Sequence, residues 1–227
     1  MPQSELDELK TDLLDCVERG GIAVLTFPWE NKTAYGNWLA QTYYFVRHTT
    51  SFLGLTASRF GHWRRDLQYR QIHHLRGEAN HDLLLLKDLE VLGLNLEVFP
   101  ELAETASLYQ SQYYFIEHEH PAAHYAYAFF LEGLAATKIE LFYGRLERTY
   151  SPDAYGFLRV HMIEDRDHFE EGLSALDFLS EPEVDAFRRN LHQTAYLYIQ
   201  MLGHIERIAQ GEGTPERHEQ PPEALRP

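Results

Sequence analysis

The sequence has few of the residues on which several classes of protein depend. Cys16 is its only cysteine, which excludes an internal disulfide framework and any multi-cysteine zinc or iron–sulfur site. No run of 18 apolar residues occurs, so no membrane span is expected. The acidic N-terminus (MPQSELDELK) has neither the basic nor the apolar segment of a secretion signal. We therefore expect a cytoplasmic protein.

Basic residues are also scarce, with 20 Lys+Arg against 35 Asp+Glu and a formal net charge of -15. A chain this acidic repels nucleic acid and anionic lipid. In contrast, 13 histidines, 14 tyrosines and 13 phenylalanines are present. Histidines and carboxylates within an aromatic-rich core are suited to metal chemistry.

Glycine and proline fall mostly between long periodic segments, which is typical of a helical bundle. We predict an all-α protein with one domain over residues 1–210 and a disordered, acidic and Pro-rich tail over 211–227. The first of seven predicted helices begins near Ser4 and ends before the Gly20-Gly21 pair. The other six cover residues 33–59, 63–92, 100–118, 122–148, 152–179 and 182–209.

The third predicted helix carries a carboxylate and a histidine at helical spacing. Glu78 and His81 are three residues apart, so on one helix they point the same way and can bind one metal ion. His74, four residues before Glu78, faces the same side.

The fifth and sixth predicted helices add further candidate ligands. His161, Asp165 and His168 form an i, i+4, i+7 stripe that repeats the carboxylate-x-x-histidine unit. Glu132 lies in a run almost free of charge, where an ionised carboxylate must be paired or bound to a metal. Lys138 is the alternative partner for Glu132.

The charges of this set match a two-metal site. Two ferrous ions bring four positive charges, and Glu78, Glu132 and Asp165 return three negative ones. Mixed imidazole and carboxylate ligands suit iron or manganese. Each motif alone also describes a solvated helix face; their coincidence on three helices favours the metal site.

Three motifs follow one another along the chain: E-x-x-H, then a lone Glu in an L-E-G context, then H-x-x-x-D-x-x-H. This order resembles that of the haem-oxygenase-like di-iron oxidases, a group described as iron-containing redox enzymes. The segment HLRGEANHDLLLLKDLEVLG is typical of that group. The resemblance implies a seven-helix haem-oxygenase-like bundle with these iron ligands: Glu78, His81, Glu132, His161, Asp165 and His168. Some members place the first carboxylate seven residues before the first histidine. His74 occupies that position here, as a neighbour of the ligands or an alternative ligand.

The resemblance also implies an activity. Two irons (Fe2+/Fe3+), with O2 as co-substrate, would oxidise a small organic molecule by C–H abstraction with C–C cleavage or by N-oxygenation, within a biosynthetic pathway. An amino acid or its derivative is preferred to a fatty acid, because no long aliphatic stripe is visible. The other expected partners are an electron donor of unspecified identity and a second copy of the chain. The candidate substrate-binding residues are Arg47, His48, Tyr44, Tyr125 and Phe129.

Three alternatives stay open. A cofactor-independent oxidase of the same superfamily would use these histidines and carboxylates for acid–base work. A non-catalytic iron or haem binder would need an axial histidine such as His48. A thiamin-degrading hydrolase would need a nucleophilic cysteine, whereas Cys16 is interpreted as a packing residue. One remaining cluster is interpreted as a solvated helix end: Glu117, His118, Glu119, His120 and His124.

Overall fold

The computed structural model describes residues 3–212, and every regular element in that range is helical. The prediction of an all-α bundle is therefore confirmed, with two of the seven predicted helices each divided in two. The predicted tail lies outside the described residues beyond Glu212. The α-helices are α1 (Gln3–Thr26), α2 (Lys32–Val46), α3 (Thr49–Arg59), α4 (Arg65–Gly77), α5 (His81–Val91), α6 (Ala103–Tyr114), α7 (His124–Thr149), α8 (Gly156–Ala175) and α9 (Glu181–Ala209).

Helix α7 is the centre of the bundle. It packs against α1, α8 and α9, while α2 covers α5, α6 and α9. Apolar side chains are buried along most of its length, among them Phe129, Phe130 and Phe142. A helix that is apolar on nearly all sides is stable only inside a core. No helix in the described range is long and apolar enough to cross a membrane.

The Gly20-Gly21 pair does not end the first helix, and that prediction was wrong. Helix α1 continues through both glycines to Thr26. A Cβ atom on Gly20 would lie 2.8 Å from Cζ of Phe130 in α7. The glycine therefore lets two helices approach closely, a use that sequence alone does not separate from a helix stop.

The predicted helix over 63–92 is interrupted between α4 and α5, so the expectation that Glu78 and His81 share one helix was wrong. Glu78 is the C-terminal cap of α4, and His81 is the first residue of α5. Between them Asn80 adopts the left-handed conformation, with φ of 71°. Asparagine is one of the few residues other than glycine that tolerates this conformation.

Helix α8 is held close to α7 at Gly133. A Cβ atom there would lie 2.8 Å from both Val17 in α1 and Phe169 in α8. At the start of α8 the buried carboxylate of Asp88 accepts backbone N–H groups from Gly156 and Phe157, both at 2.9 Å. These contacts determine where the histidines of α8 lie relative to α5 and α7.

Candidate metal centre

Glu78 lies between two histidines at the end of α4. Its Oε1 is 3.2 Å from Nε2 of His74, one turn earlier in the same helix. Its Oε2 is 3.2 Å from Nδ1 of His81, across the turn that begins α5. The turn between α4 and α5 thus brings Glu78 and His81 together, although the sequence had placed them on one helix face.

Glu78, His81 and His161 form a first group of ligands, with one donor atom from each lying within 4.8 Å of the others. The rings of His81 and His161 have their centroids 5.1 Å apart. Nδ1 of His161 is 2.9 Å from the carbonyl oxygen of Phe157. That hydrogen bond assigns the proton to Nδ1 and leaves Nε2 of His161 to bind a metal.

His74, Glu78 and His168 form a second group with the same 4.8 Å limit. The rings of His74 and His168 are 5.1 Å apart. Asp165 lies 3.7 Å from Nδ1 of His168, and this interaction raises the pKa of His168 to about 9. Glu78 belongs to both groups.

Glu132 and Asp165 are 6% and 4% exposed and complete the carboxylates of the site. Oε1 of Glu132 is 3.5 Å from Nε2 of His74, and Oε2 has no hydrogen-bond partner among the described residues. Burial raises the pKa of Glu132 to about 7, with His74 opposing and Asp165 adding to the effect. A buried carboxylate with one bare oxygen fits a cation ligand. Lys138, the alternative partner, instead pairs with Glu18.

The protonation of this site also fits a bound cation. Burial disfavours the Glu78 carboxylate, but the close His74 and His81 rings outweigh it and hold the pKa of Glu78 well below its usual range. Burial likewise opposes the charge on His74, yet Glu78 and Glu132 raise the pKa of His74.

All six predicted iron ligands and His74 therefore lie in one place, contributed by α4, α5, α7 and α8. The sequence left open whether His74 is a ligand or a neighbour of the ligands. A donor atom of His74 lies within 4.8 Å of donor atoms of Glu78 and His168.

Two of the predicted substrate-binding residues have partners elsewhere. Arg47 is 3.8 Å from Glu101. Nδ1 of His48 is 2.9 Å from the hydroxyl of Tyr113, and its ring stacks on Tyr109 at 4.2 Å. Neither residue is among the described residues that line the cavity beside the candidate centre.

The aromatic candidates are likewise absent from the described lining of that cavity. The Tyr44 hydroxyl donates to the carbonyl oxygen of Phe99 at 3.0 Å. The Tyr125 hydroxyl donates to Leu67 at 3.1 Å. Phe129 packs beneath the guanidinium of Arg70 at 5.7 Å. A role of these five residues in substrate binding stays a prediction.

The cavity itself, about 120 Å³, lies beside the candidate ligands. His74, Glu78, Glu132, His161 and Asp165 form part of its wall.

Other lining residues were missed from the sequence, above all Thr42, His124 and Tyr127. The interpretation of His124 as part of a solvated helix end was wrong, because it is 1% exposed. The missed signal is that His124 and Tyr127 recur at helical spacing with Leu131 and Ala135.

Cys16 does not line the described part of the cavity. It is fully buried, accepts a hydrogen bond from Arg19 at 2.9 Å and lies 3.6 Å from Nδ1 of His192. Burial raises the pKa of the Cys16 thiol. This setting is that of a packing residue and not of an activated nucleophile.

An all-α bundle in which four imidazoles and three carboxylates converge defines the class: a helical protein with a candidate histidine–carboxylate metal centre. A family model described as "iron-containing redox enzyme" matches residues 36–202. The chain belongs to this family.

Solved structures give the fold its name. A domain of unknown function with a haem-oxygenase-like fold from Shewanella denitrificans OS217 superposes with a TM-score of 0.77 at 19% identity, covering 97% of this chain and 99% of that one. A TenA homolog from Pseudomonas syringae pv. tomato str. DC3000 gives 0.72 at 11% identity, covering 88% and 93%. The bundle is thus haem-oxygenase-like, as predicted. No curated protein matches the chain.

Proposed function

We propose that the protein is a non-haem di-iron oxidase or oxygenase that uses O2 to oxidise a small organic substrate. The observation that carries this proposal is the position of Glu78, which shares one carboxylate between two groups of histidines. Family membership supports iron and redox chemistry. The number of irons, the use of O2 and the substrate are our proposal.

In this proposal His81 and His161 serve one metal, and His74 and His168 serve the other. Glu78 would supply oxygens to both groups, and Glu132 and Asp165 would supply the remaining carboxylate oxygens. His74 is thus a ligand here, in place of the carboxylate that some relatives have at that position. Two irons, when bound, would supply the electron transfer for O2-dependent C–H abstraction with C–C cleavage or for N-oxygenation.

The protein's own part is orientation and exclusion of water. The carbonyl of Phe157 orients His161, and Asp165 orients His168. The ring of Phe157 packs 4.0 Å from that of His161 and helps to form an apolar wall. Such a wall strengthens metal–ligand electrostatics and limits side reactions with water.

The test is an anaerobic titration of metal-free protein with ferrous iron. We expect about two equivalents per chain in the wild type. We expect about one in His161→Ala and in His168→Ala, because each removes a ligand from one group only. Glu78→Ala removes the shared ligand and should bind neither iron tightly. His118→Ala, which alters an exposed histidine, is the control.

Mössbauer spectra of protein loaded with 57Fe and exposed to O2 then test whether the irons are a coupled pair. Folded wild-type protein that binds no iron, or that binds it independently of Glu78, would rule out the proposed centre. Substrate turnover that survives a strong chelator would favour the cofactor-independent alternative.

A further inference from the structure

The cavity beside the candidate metal centre follows one face of α7. Lining residues recur at three- and four-residue spacing along this helix: His124, Tyr127, Leu131, Ala135, Ile139 and Phe142. At a rise of 1.5 Å per residue the stripe is about 27 Å long. Glu132 stands near the middle of this stripe, and we call its two halves the arm toward His124 and the arm toward Phe142.

The arm toward Phe142 is apolar. Its stripe residues are Ala135, Ile139 and Phe142, and the ring of Trp29 stacks on that of Phe142 at 4.3 Å. The one polar atom of this set, Nε1 of Trp29, already donates to the carbonyl oxygen of Val24 at 2.7 Å. This arm therefore suits the hydrocarbon part of a ligand and offers nothing to a polar group.

Apart from Oε2 of Glu132, three polar atoms of the described cavity lining have no hydrogen-bond partner among the described residues, and two of them are in the arm toward His124. The three are Oγ1 of Thr42, Nδ1 of His124 and the hydroxyl oxygen of Tyr127. The three side chains are 2%, 1% and 3% exposed, and the rings of His124 and Tyr127 lie 5.5 Å apart. Buried polar atoms in native proteins are normally hydrogen-bonded, so three orphans in one cavity indicate a polar ligand group.

The polar arm is also uncharged. Among the described residues that line the cavity there is no lysine or arginine. Burial, with a smaller contribution from His74, lowers the pKa of His124 to about 3, so its ring is neutral near pH 7. Burial, with a smaller contribution from Glu78, raises the pKa of Tyr127 far above its usual range. The side chains of His124, Tyr127 and Thr42 carry no charge that could pair with a charged ligand group, and the charges that act on this arm, from His74 and Glu78, belong to the candidate metal centre.

We propose that the substrate is a mainly apolar molecule with one uncharged hydrogen-bonding group, a hydroxyl, carbonyl or amide, that His124, Tyr127 and Thr42 hold. Its hydrocarbon part occupies the arm toward Phe142, and the carbons between the two ends pass the metal ligands. This inference rests on the proposed function for its chemistry but not for its binding site. It differs from the sequence-based preference for an amino acid, because a zwitterion has no counter-charge in the polar arm.

The test uses four chain-matched probes with the full-length protein, both metal-free and loaded anaerobically with ferrous iron. 1-Octanol and octanamide are uncharged; octanoate and octylammonium are charged near pH 7. Trp29 and Trp38 line the cavity, so their fluorescence reports entry of a probe. We expect the uncharged probes to bind at least about tenfold more tightly than the charged ones.

Variants then locate the polar group. Tyr127→Phe and Thr42→Val should each weaken 1-octanol binding about three- to tenfold and leave the binding of toluene unchanged. Tyr143→Phe is the matched control on the same helix, because Tyr143 is not among the described residues that line the cavity, and it should change neither.

Three results would overturn the inference: charged probes that bind the metal-free protein as tightly as 1-octanol, unchanged 1-octanol binding in both cavity variants, or no binding of any probe to folded protein. Because binding is measured without metal as well, a failure here is distinct from a failure to bind two irons. Probe binding with no iron uptake would reject the proposed function alone.

Discussion

The carboxylate of Asp88 in α5 accepts a 2.9 Å hydrogen bond from the backbone N–H of Phe157 in the first turn of α8. Its other oxygen accepts the N–H of Gly156 at 2.9 Å. The first N–H groups of a helix have no partner within the helix, so an acceptor from a neighbouring helix both satisfies them and fixes the helix start. Asp88 thereby sets the position of the three ligands on α8.

Loss of this contact should affect stability and metal binding together. We expect Asp88→Ala to lower the free energy of unfolding by about 1–3 kcal/mol, since two buried N–H groups lose their acceptors. Ferrous affinity should fall as well, because α8 is less well placed. Urea unfolding and iron titration measure the two effects. Glu90→Ala, an exposed position on α5, is the control and should change neither.

The close approach of α7 and α8 at Gly133 gives a second prediction. Gly133→Ala places a Cβ atom 2.8 Å from both Val17 and Phe169, so one helix must move. We expect a loss of about 1–3 kcal/mol in unfolding free energy and weaker iron binding.

Gly144→Ala is the matched substitution on the same helix. The nearest atom to its new Cβ is the flexible Arg148 side chain, at 3.4 Å. Alanine favours helix over glycine by up to about 1 kcal/mol, so this variant should be as stable as the wild type or more stable. Equal destabilisation of the two variants, measured by urea unfolding, would show that helix spacing at Gly133 is not the cause.

The left-handed conformation of Asn80 determines how Glu78 meets His81. We expect Asn80→Gly to keep both stability and iron binding, because glycine adopts φ of 71° without strain. Asn80→Val should lose about 1–2 kcal/mol or more and bind iron less tightly. Thermal unfolding and ferrous titration of the pair test this. An Asn80→Val protein that binds iron like the wild type would contradict a role for the turn.

In the metal-free protein, Glu132 should lower the free energy of unfolding by an amount that depends on pH. Its pKa of about 7 in the folded chain lies above the ordinary 4.5, so folding opposes ionisation. The ionised form therefore destabilises the fold above about pH 7, and this cost disappears as the pH falls below the unfolded-state value.

We thus expect metal-free Glu132→Gln to be more stable than the wild type by about 1–3 kcal/mol near pH 8, with little difference near pH 4.5. The same variant should bind iron less tightly. Glu147→Gln, an exposed site on α7, should show neither effect. Urea unfolding at both pH values gives the result, and a stabilisation that did not depend on pH would contradict this origin.

Local patterns were enough to predict the helices and the ligand types. Helical periodicity depends on neighbours three and four residues apart, so the all-α class and the stripe of His161, Asp165 and His168 are visible in the sequence. The isolated charge of Glu132 was visible for the same reason, because its apolar neighbours already predict burial.

Tertiary structure decided what no local pattern contains. Helix α1 continues through Gly20, where the missing side chain leaves room for Phe130. Glu78 meets His81 through a turn at Asn80 and not along one helix face. The roles of Asp88 and His124 depend on residues far away in the chain, which become neighbours only when the helices pack. The sequence determined which groups are available for metal chemistry; the packing of α4, α5, α7 and α8 decided which of them meet, because distance across a bundle is not encoded in spacing along a helix.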